Sequence, residues 1–320
     1  MHAQILRGHL HLPRRPAQLP PDVVDFTGRA REIARALQAL PGTVGITGMH
    51  GSGKTALATR IGHLAAHRFP DGQIVVRGHD VAGELLRAVG VENATGDKAA
   101  LWREKARGKR FLVVVDDLPS PESVRDLHTL GSAVLFTSVR RWNELPGVTW
   151  LKIAGLAVPE AREFLRKVLD PARIAAEQEA AAEVLAQVSH LPNPIRVLGG
   201  KLSARPTWTV AMLLKQMDRE LVLGEAVPSD CRAVLAPLIK ADEQLTEEQR
   251  HLLTCFARQK ADVIDVAEAV RLSGGGIGRI DTLLESLADV HLLEPLEFGR
   301  YRMPRFVQMF FGLRTLAPSS

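Results

Sequence analysis

Short apolar runs and stretches with helical spacing alternate along the first half of this chain. Between residues 25 and 152, apolar residues recur three or four positions apart at 29–40, 56–69 and 81–89, which predicts helices. Residues 110–115 form an apolar run too short for a helix, which predicts a buried parallel strand. Further strands are predicted at 43–47, 73–76, 132–137 and 148–153. This alternation predicts a three-layer α/β domain with a parallel sheet.

The pattern changes after about residue 152, where helical spacing continues without strands. Three short helices followed by a small hairpin near the C-terminus are the outline of a winged-helix unit. The predicted helices are 159–168, 172–188, 209–223, 246–257, 263–272 and 276–288, and the predicted hairpin strands are 290–295 and 301–303. We therefore predict an extended N-terminal arm (1–24), an α/β domain (25–152), an all-helical domain (153–225) and a winged-helix domain (226–316).

A glycine-rich loop joins the first predicted strand to the helix that follows it. The loop fits the phosphate-loop pattern G-x-x-x-x-G-K-[ST], in which backbone N–H groups cradle phosphates, the lysine reaches the β- and γ-phosphates and the hydroxyl binds Mg²⁺. The strand and the helix are the context that this pattern requires. We predict a P-loop NTPase domain whose nucleotide-contacting residues are Gly48, Met49, His50, Gly51, Ser52, Gly53, Lys54, Thr55 and Ala56.

A pair of carboxylates follows the most apolar of the predicted strands. A carboxylate at the carboxyl end of a buried parallel strand lies beside the phosphate loop, where it can hold Mg²⁺, and a neighbouring acid can orient an attacking water. Asp116 is therefore a predicted Mg²⁺ residue together with Thr55, and Asp117 is the predicted catalytic residue if ATP is hydrolysed.

Composition narrows the class of protein. The chain has 320 residues, is 46% hydrophobic and carries a formal net charge of +5, which permits nucleic-acid contact without arguing for it. With only two cysteines and no metal-ligand neighbours beside them, neither a disulfide scaffold nor a zinc site is expected. The chain contains no apolar run of bilayer-spanning length and no signal-peptide core, so we expect no membrane contact and a cytoplasmic location.

Three stretches together resemble the NB-ARC proteins, which belong to the signal-transducing ATPases with numerous domains (STAND). Two are the phosphate loop and the strand with its paired aspartates, and the third is Asp25-Phe26-Thr27-Gly28-Arg29-Ala30-Arg31-Glu32. The third is similar to the opening motif of the family, whose backbone and arginine approach the adenine, although Ala30 replaces a glutamate of that motif. The resemblance implies adenine contacts for Gly28 and Arg29.

Two further stretches extend this resemblance over residues 17–316. Gly155-Leu156-Ala157-Val158-Pro159-Glu160-Ala161 is similar to the motif that opens the family's helical domain, and His190-Leu191-Pro192-Asn193-Pro194-Ile195 resembles Gly-Leu-Pro-Leu-Ala-Leu. In that motif the proline packs on the adenine, which implies this role for Pro192. The pattern is most similar to the bacterial transcriptional-regulator type and implies a regulatory switch that binds ADP or ATP with Mg²⁺.

Two departures from the family pattern affect the expected activity. The bacterial type carries an arginine that senses the γ-phosphate where this chain has Val139, so either Arg140 or Arg141 would have to substitute. The family's Met-His-Asp, whose histidine binds the β-phosphate of ADP, is replaced by Met303-Pro304-Arg305. Losing a hydrogen bond to a charged group weakens the closed state by about 1.5 to 3 kcal/mol. We expect good nucleotide binding and weak or absent ATP hydrolysis, with Arg305 either a new phosphate ligand or a surface charge.

Two other functions compete with this interpretation. The helix at 276–288 can be the recognition helix of a DNA-binding regulator, with Arg279 as a base or phosphate contact. A small-molecule kinase would instead use a lid of arginines, for which Arg103, Arg107 and Arg110 are available, with His50 as a base; the solvated face of a helix explains those arginines more simply.

The expected partners follow from what family members normally carry beside this module. Residues 1–16 and 317–320 leave no room for an effector domain or a repeat sensor. The sequence is either an excised module or a switch that acts through a separate protein partner or self-association in the ATP state.

Overall fold

The computed structural model describes residues 15–125, 127, 131–223, 229–259 and 262–313. The first part of the chain forms a five-stranded parallel sheet whose inner strands are almost fully buried, as expected of a sheet covered on both faces. Each strand agrees with its sequence prediction to within one residue at either end. The strands are β1 (Thr43–Thr47), β2 (Gly72–Arg77), β3 (Phe111–Asp116), β4 (Ala133–Ser138) and β5 (Val148–Lys152).

The strand order β2-β3-β4-β1-β5 places β4 between the strand before the phosphate loop and the strand that ends in Asp116. Thr47 pairs with Ser138 across β1 and β4, and Val115 pairs with Phe136 across β3 and β4. Because all the strands are parallel, the loops that follow β1, β3 and β4 meet at one edge of the sheet. The predicted three-layer α/β domain is confirmed.

Helices cover both faces of this sheet and form separate apolar clusters there. One face is covered by α1 (Ala30–Ala39) and α2 (Lys54–Ala65), and the other by α3 (Val81–Ala88), α4 (Lys98–Lys105) and α5 (Glu122–Arg125). The helix that follows the phosphate loop thus lies on the face opposite to α4.

The rest of the described chain is mainly helical. The first group of helices is α6 (Val158–Val168), α7 (Pro171–Ala176), α8 (Gln178–Gln187), α9 (Pro192–Ser203) and α10 (Val210–Leu223). The second group is α11 (Ser229–Asp242), α12 (Glu247–Gln259), α13 (Val266–Ser273), α14 (Ile277–Asp289) and α15 (Arg305–Leu313). An antiparallel sheet with the order β6-β8-β7 accompanies the second group, formed by Val263–Asp265, Arg300–Arg302 and Glu294–Glu297. Buried apolar residues of both groups form one continuous cluster, which also includes Met49 of the phosphate loop.

Two predicted helices differ from the observed elements for identifiable reasons. The helix predicted at 172–188 is broken at Glu177, whose carboxylate accepts the backbone N–H groups of Val210 and Ala211 at 2.9 Å and so caps α10. The helix predicted at 263–272 begins only at Val266, because Asp265 caps its first turn by accepting the N–H of Glu268 at 2.7 Å. The three residues before this helix form β6 instead.

Other predicted boundaries shift, and four helices were not predicted. The hairpin strand predicted at 290–295 lies at Glu294–Glu297. The helix predicted to end at Phe69 ends at Ala65 and continues as a short 3₁₀ turn. The helices α5, α9, α11 and α15 had no counterpart among the predicted elements.

The predicted N-terminal arm is described only from residue 15 onward, and residues 1–14 lie outside the described residues. Residues 15–23 contain no helix, and Ala17 forms a parallel bridge with Gln73 at the edge of the sheet. Backbone bonds from Gln73 to Pro16 and from Gln18 to Gln73 hold this segment in place. No helix in the described part of the chain has both the length and the apolar character needed to cross a membrane.

Candidate functional site

The phosphate loop depends on glycine at three positions. Gly51 and Gly53 have left-handed backbone angles, with φ of 80° and 92°, which strain any residue that carries a side chain. At Gly48 an added Cβ would lie 2.3 Å from the carbonyl oxygen of Ile153. The glycines of the sequence pattern are therefore required by the backbone itself, and the loop turns tightly enough to present its N–H groups to a ligand.

Lys54 is the first residue of α2 and turns back over the loop. Its buried ammonium group donates to the carbonyl oxygens of Gly48 at 2.8 Å and Met49 at 3.2 Å. Burial lowers the pKa of Lys54 to about 8; the charge of Lys240 also lowers it, and the carboxylate of Asp117 opposes the shift. An anion bound here would favour the charged form of the lysine.

Two polar side-chain atoms of the loop are buried without a hydrogen-bond partner among the described residues. They are Nε2 of His50 and Oγ of Ser52. Burial lowers the pKa of His50 to about 4, with smaller contributions from Lys54 and Lys240, so the ring is neutral near pH 7. Leaving such atoms unpaired costs about 1 to 3 kcal/mol each, and a polar ligand in the loop would satisfy them. The residues present therefore fit a phosphate group.

Asp116 brings together the two residues predicted to hold Mg²⁺. Its Oδ1 accepts a hydrogen bond from the hydroxyl of Thr55 at 2.8 Å and another from the hydroxyl of Thr137 at 2.9 Å. Because β4 lies between β1 and β3, Thr137 can join the two sides of the site. One carboxylate and one hydroxyl beside phosphate oxygens form a donor set that suits Mg²⁺.

Asp117 follows Asp116 in a left-handed conformation, with φ of 61°. Its N–H donates to the hydroxyl of Thr137 at 2.8 Å, which fixes the backbone, and its carboxylate accepts from Nζ of Lys240 at 2.9 Å. Burial raises the pKa of Asp117, but the hydrogen bond and charge of Lys240 outweigh it, so the pKa lies below its ordinary value. The predicted catalytic residue is thus an ionised carboxylate in an ion pair with α11.

Residues from both helical groups complete a cavity of about 550 Å³ over the loop. The N–H of Asn193 donates to the carbonyl oxygen of Gly51 at 3.3 Å, and Pro192 lies beside Gly53. Most of the residues predicted to bind phosphate and metal line this cavity together with Pro192, but Gly48, Met49 and Ser52 do not. The lining residues among the predictions are His50, Gly51, Gly53, Lys54, Thr55, Ala56, Asp116 and Asp117.

Comparisons with known proteins agree with the resemblance found in the motifs. No model of a known protein family matches the sequence. Two curated proteins, the regulatory proteins AfsR of Streptomyces griseus and of Streptomyces coelicolor, are each 32% identical to this chain. The alignments are 321 and 325 residues long and cover 92% of the chain. The chain is related to these bacterial regulatory proteins. It spans about a third of the length of these relatives, 33% in each case.

A solved structure shows that this chain has the fold of a Walker-type ATPase. The Walker-type ATPase PABY2304 of Pyrococcus abyssi superimposes with a TM-score of 0.60, covering 94% of this chain and 99% of its own, at 13% sequence identity. The likeness therefore extends beyond the α/β domain into the helical part of the chain.

Two of the three residues that the STAND resemblance implies for the adenine, Gly28 and Arg29, lie beside the phosphate loop and outside the cavity lining, whereas Pro192 is part of the lining. The guanidinium of Arg29 donates to the carbonyl oxygens of Ala154 and Ser52, and its N–H donates to Glu160 at 3.3 Å. Gly28 is so close to α6 that an added Cβ would lie 2.3 Å from the carboxyl carbon of Glu160. This motif joins the loop to the first turn of α6, and its contact with adenine stays a prediction.

Arg140, one of the two predicted substitutes for the γ-phosphate sensor, follows β4. Its guanidinium carbon lies 3.9 Å from the centre of the Trp142 ring. Arg140 lines a second cavity of about 910 Å³, which shares Asp116 and Asp117 with the first. Arg141 lies over the ring of Trp150, with its guanidinium carbon 5.8 Å from the ring centre. Of the two arginines, only Arg140 is therefore placed beside the site.

Arg305, the predicted replacement for the family's diphosphate ligand, lies away from both cavities. It forms an exposed ion pair with Glu183 of α8, with 3.1 Å between Nη1 and Oε1. This geometry favours the surface-charge alternative.

We expect Arg305→Ala to change the dissociation rate of ADP by less than about two-fold, since exposed ion pairs contribute about 0 to 1 kcal/mol. The rate can be measured by displacement of a fluorescent ADP analogue, with Glu183→Gln as the control that removes only the partner. A ten-fold faster release in Arg305→Ala alone would show that Arg305 binds phosphate.

Several residues of the site had no role in the sequence prediction. Thr137 ends the strand predicted at 132–137, but its link between Asp116 and Asp117 depends on the strand order. Arg196 of α9 lines the cavity and forms a two-bonded ion pair with Asp25, at 2.5 and 2.7 Å. Lys240 lies on a helix that was not predicted.

Proposed function

We propose that this chain is an adenine-nucleotide-binding regulatory switch module of the NB-ARC/STAND type, which binds ADP or ATP with Mg²⁺. The observation that carries the proposal is the meeting of three parts of the chain at one cavity: the phosphate loop, Pro192 and Asn193 of α9, and Lys240 of α11. A ligand in this cavity would contact all three parts, so its presence and its phosphate number would affect how they pack.

We assign each part of the chain a role in this switch. Residues 25–152 bind the phosphates and Mg²⁺, residues 153–225 close over the nucleotide, and residues 226–316 form a winged helix. Three helices and a small three-stranded antiparallel sheet support the winged-helix assignment. The proposed protein is a cytoplasmic regulator that signals through a protein partner, a further domain or self-association in the ATP state.

Weak or absent hydrolysis is part of the proposal. Asp117 would orient the attacking water, yet its carboxylate is engaged by Lys240 at 2.9 Å. Val139 stands where an arginine would reach the γ-phosphate. Mg²⁺, held by Thr55 and Asp116, would neutralise phosphate charge when bound. The site is therefore better arranged for retaining a nucleotide than for turning it over.

The direct test is to denature the purified protein and identify the nucleotide that it releases. Released ADP supports a resting switch. If no nucleotide is released and neither ADP nor ATP binds on addition, the proposed function is wrong.

The pKa of Lys54 gives the site a predicted pH dependence. With a pKa of about 8, Lys54 is about half charged at pH 8. A bound phosphate favours the charged form, so binding at pH 8 should take up protons, and affinity should fall as the pH rises from about 7 to about 9. Calorimetry in two buffers of different ionisation enthalpy measures this uptake. Lys54→Arg, whose side chain stays charged, should show none, and equal uptake by this variant would contradict the assignment.

DNA binding through α14 is the weaker alternative. Arg279 forms an exposed ion pair with Glu248 of α12, and Ser286 and Asp289 at the other end of α14 line the second cavity beside Arg140. This helix therefore faces the α/β domain at one end. Salt-dependent binding to duplex DNA would support DNA binding by this chain, whereas no binding at low salt would rule it out.

A further inference from the structure

The helix α11 lies directly over the phosphate loop. At Gly51 an added Cβ would be 2.7 Å from Cγ of Pro237, so the helix and the loop backbone are in close contact. One turn later Lys240 reaches across to Asp117. The same helix buries Leu238 completely in the apolar cluster of the helical part. Any change at Lys240 therefore acts on a helix that is packed into the core.

The ion pair between Lys240 and Asp117 is in contact with solvent. The side chains are 51% and 57% exposed. Exposed pairs of this kind contribute about 0 to 1 kcal/mol, so a stronger anion nearby can replace the carboxylate at small cost. Lys240 is also long and flexible, with three donors on one ammonium group.

Lys240 lies close enough to the groups that are expected to hold phosphate to affect their pKa values. It lines the cavity together with Lys54 and Thr55. Its charge lowers the pKa of Lys54 and of His50, in both cases after the larger effect of burial. Two cations that converge on one cavity repel each other, and an anion between them would relieve that repulsion.

We propose that Lys240 senses the terminal phosphate of the nucleotide. With a diphosphate bound, Lys240 pairs with Asp117; with a triphosphate bound, it moves to the γ-phosphate and leaves Asp117 free. This inference rests on the proposed function and assigns its triphosphate selectivity to a residue of α11. Binding of the third phosphate would thereby affect α11, whose other face packs in the apolar cluster of the helical part.

The test compares equilibrium affinities for ADP and for a non-hydrolysable ATP analogue, both with Mg²⁺. Lys240→Met should weaken binding of the ATP analogue about ten-fold, the loss of one charge-assisted hydrogen bond, and change ADP affinity by less than about two-fold. Arg232→Met is the matched control, because Arg232 is exposed on the same helix two turns earlier and does not line this cavity. It should alter neither affinity.

Asp117→Asn separates sensing from a structural role of the ion pair. This variant frees Lys240, so it should strengthen binding of the ATP analogue, whereas Lys240→Met weakens it. Removing a carboxylate also reduces repulsion of the γ-phosphate, and for this reason the double variant is needed. In the Lys240→Met background, the gain from Asp117→Asn should be smaller than in the wild type.

The outcomes distinguish failure of this inference from failure of the proposed function. If each single variant changes the affinities for ADP and for the ATP analogue by the same factor, the ion pair is structural. The same holds if both variants shift the affinity for the ATP analogue in the same direction. Either result overturns the inference while nucleotide binding stands. An equal gain from Asp117→Asn with and without Lys240 also overturns it. If the wild-type protein binds neither nucleotide, the proposed function itself fails.

Discussion

Replacing Lys54 by alanine should lower the affinity for ADP and ATP by at least about 100-fold. The ammonium group is the only buried cation of the phosphate loop in the described chain, and its hydrogen bonds to Gly48 and Met49 hold it at the cavity. Two charge-assisted hydrogen bonds to phosphate are worth about 3 to 6 kcal/mol together. Titration with a fluorescent ADP analogue measures the loss.

A second variant separates binding from folding. Lys54→Met keeps the buried stem while removing the charge, so it should lose affinity as Lys54→Ala does and keep its thermal transition. Lys105→Ala, which removes an exposed lysine on α4, should change neither quantity. Retained ADP binding in both Lys54 variants would show that the loop does not hold phosphate.

The sequence predicts most of the α/β domain because its signals are local. A glycine-rich loop with a fixed spacing, an apolar run of strand length and a terminal carboxylate are each contained in a few neighbouring residues. The position of Asp116 beside Thr55 then follows from a general property of parallel sheets. Their 2.8 Å hydrogen bond agrees with that expectation.

The contributions of the helical parts are harder to predict because they depend on distant partners. Lys240 and Asp117 are separated by 123 positions, and neither helical spacing nor a motif distinguishes Lys240 from other surface lysines. Pro237 within α11 argues locally against a helix. Glu177 interrupts the helix predicted at 172–188, and its carboxylate caps α10 at Val210, 33 positions later. Such positions are determined by tertiary contacts that one sequence does not reveal.

Arg305 and Arg29 show the limit of carrying a motif over from a family. Both occupy motif positions that imply nucleotide contact, yet Arg29 donates to backbone carbonyls beside the loop and Arg305 pairs with Glu183. The motifs indicate where the parts of the chain meet. The atoms that each side chain contacts depend on the local packing, which a sequence motif alone does not specify.

Replacing Trp102 by alanine should destabilise the α/β domain by about 3 to 5 kcal/mol without changing nucleotide affinity. Trp102 of α4 is fully buried, its indole N–H donates to the carbonyl oxygen of Leu127 at 3.2 Å, and its ring lies 5.7 Å from that of Phe111. The cluster that it anchors covers the face of the sheet opposite to α2. The loss can be measured by urea unfolding.

The same variant tests whether α4 belongs to a kinase-like lid. Of the three arginines suggested for such a lid, Arg103 lies on α4, and Arg107 and Arg110 follow its end. If this lid contacted phosphate, loosening the helix would weaken nucleotide binding. We expect unchanged ADP affinity at a temperature where the variant is folded, and Leu64→Ala, at a partly exposed apolar position of α2, should cost less than about 0.5 kcal/mol. A ten-fold loss of affinity in Trp102→Ala would place α4 at the nucleotide and favour the kinase interpretation, because α4 otherwise has only a structural role on the far face of the sheet.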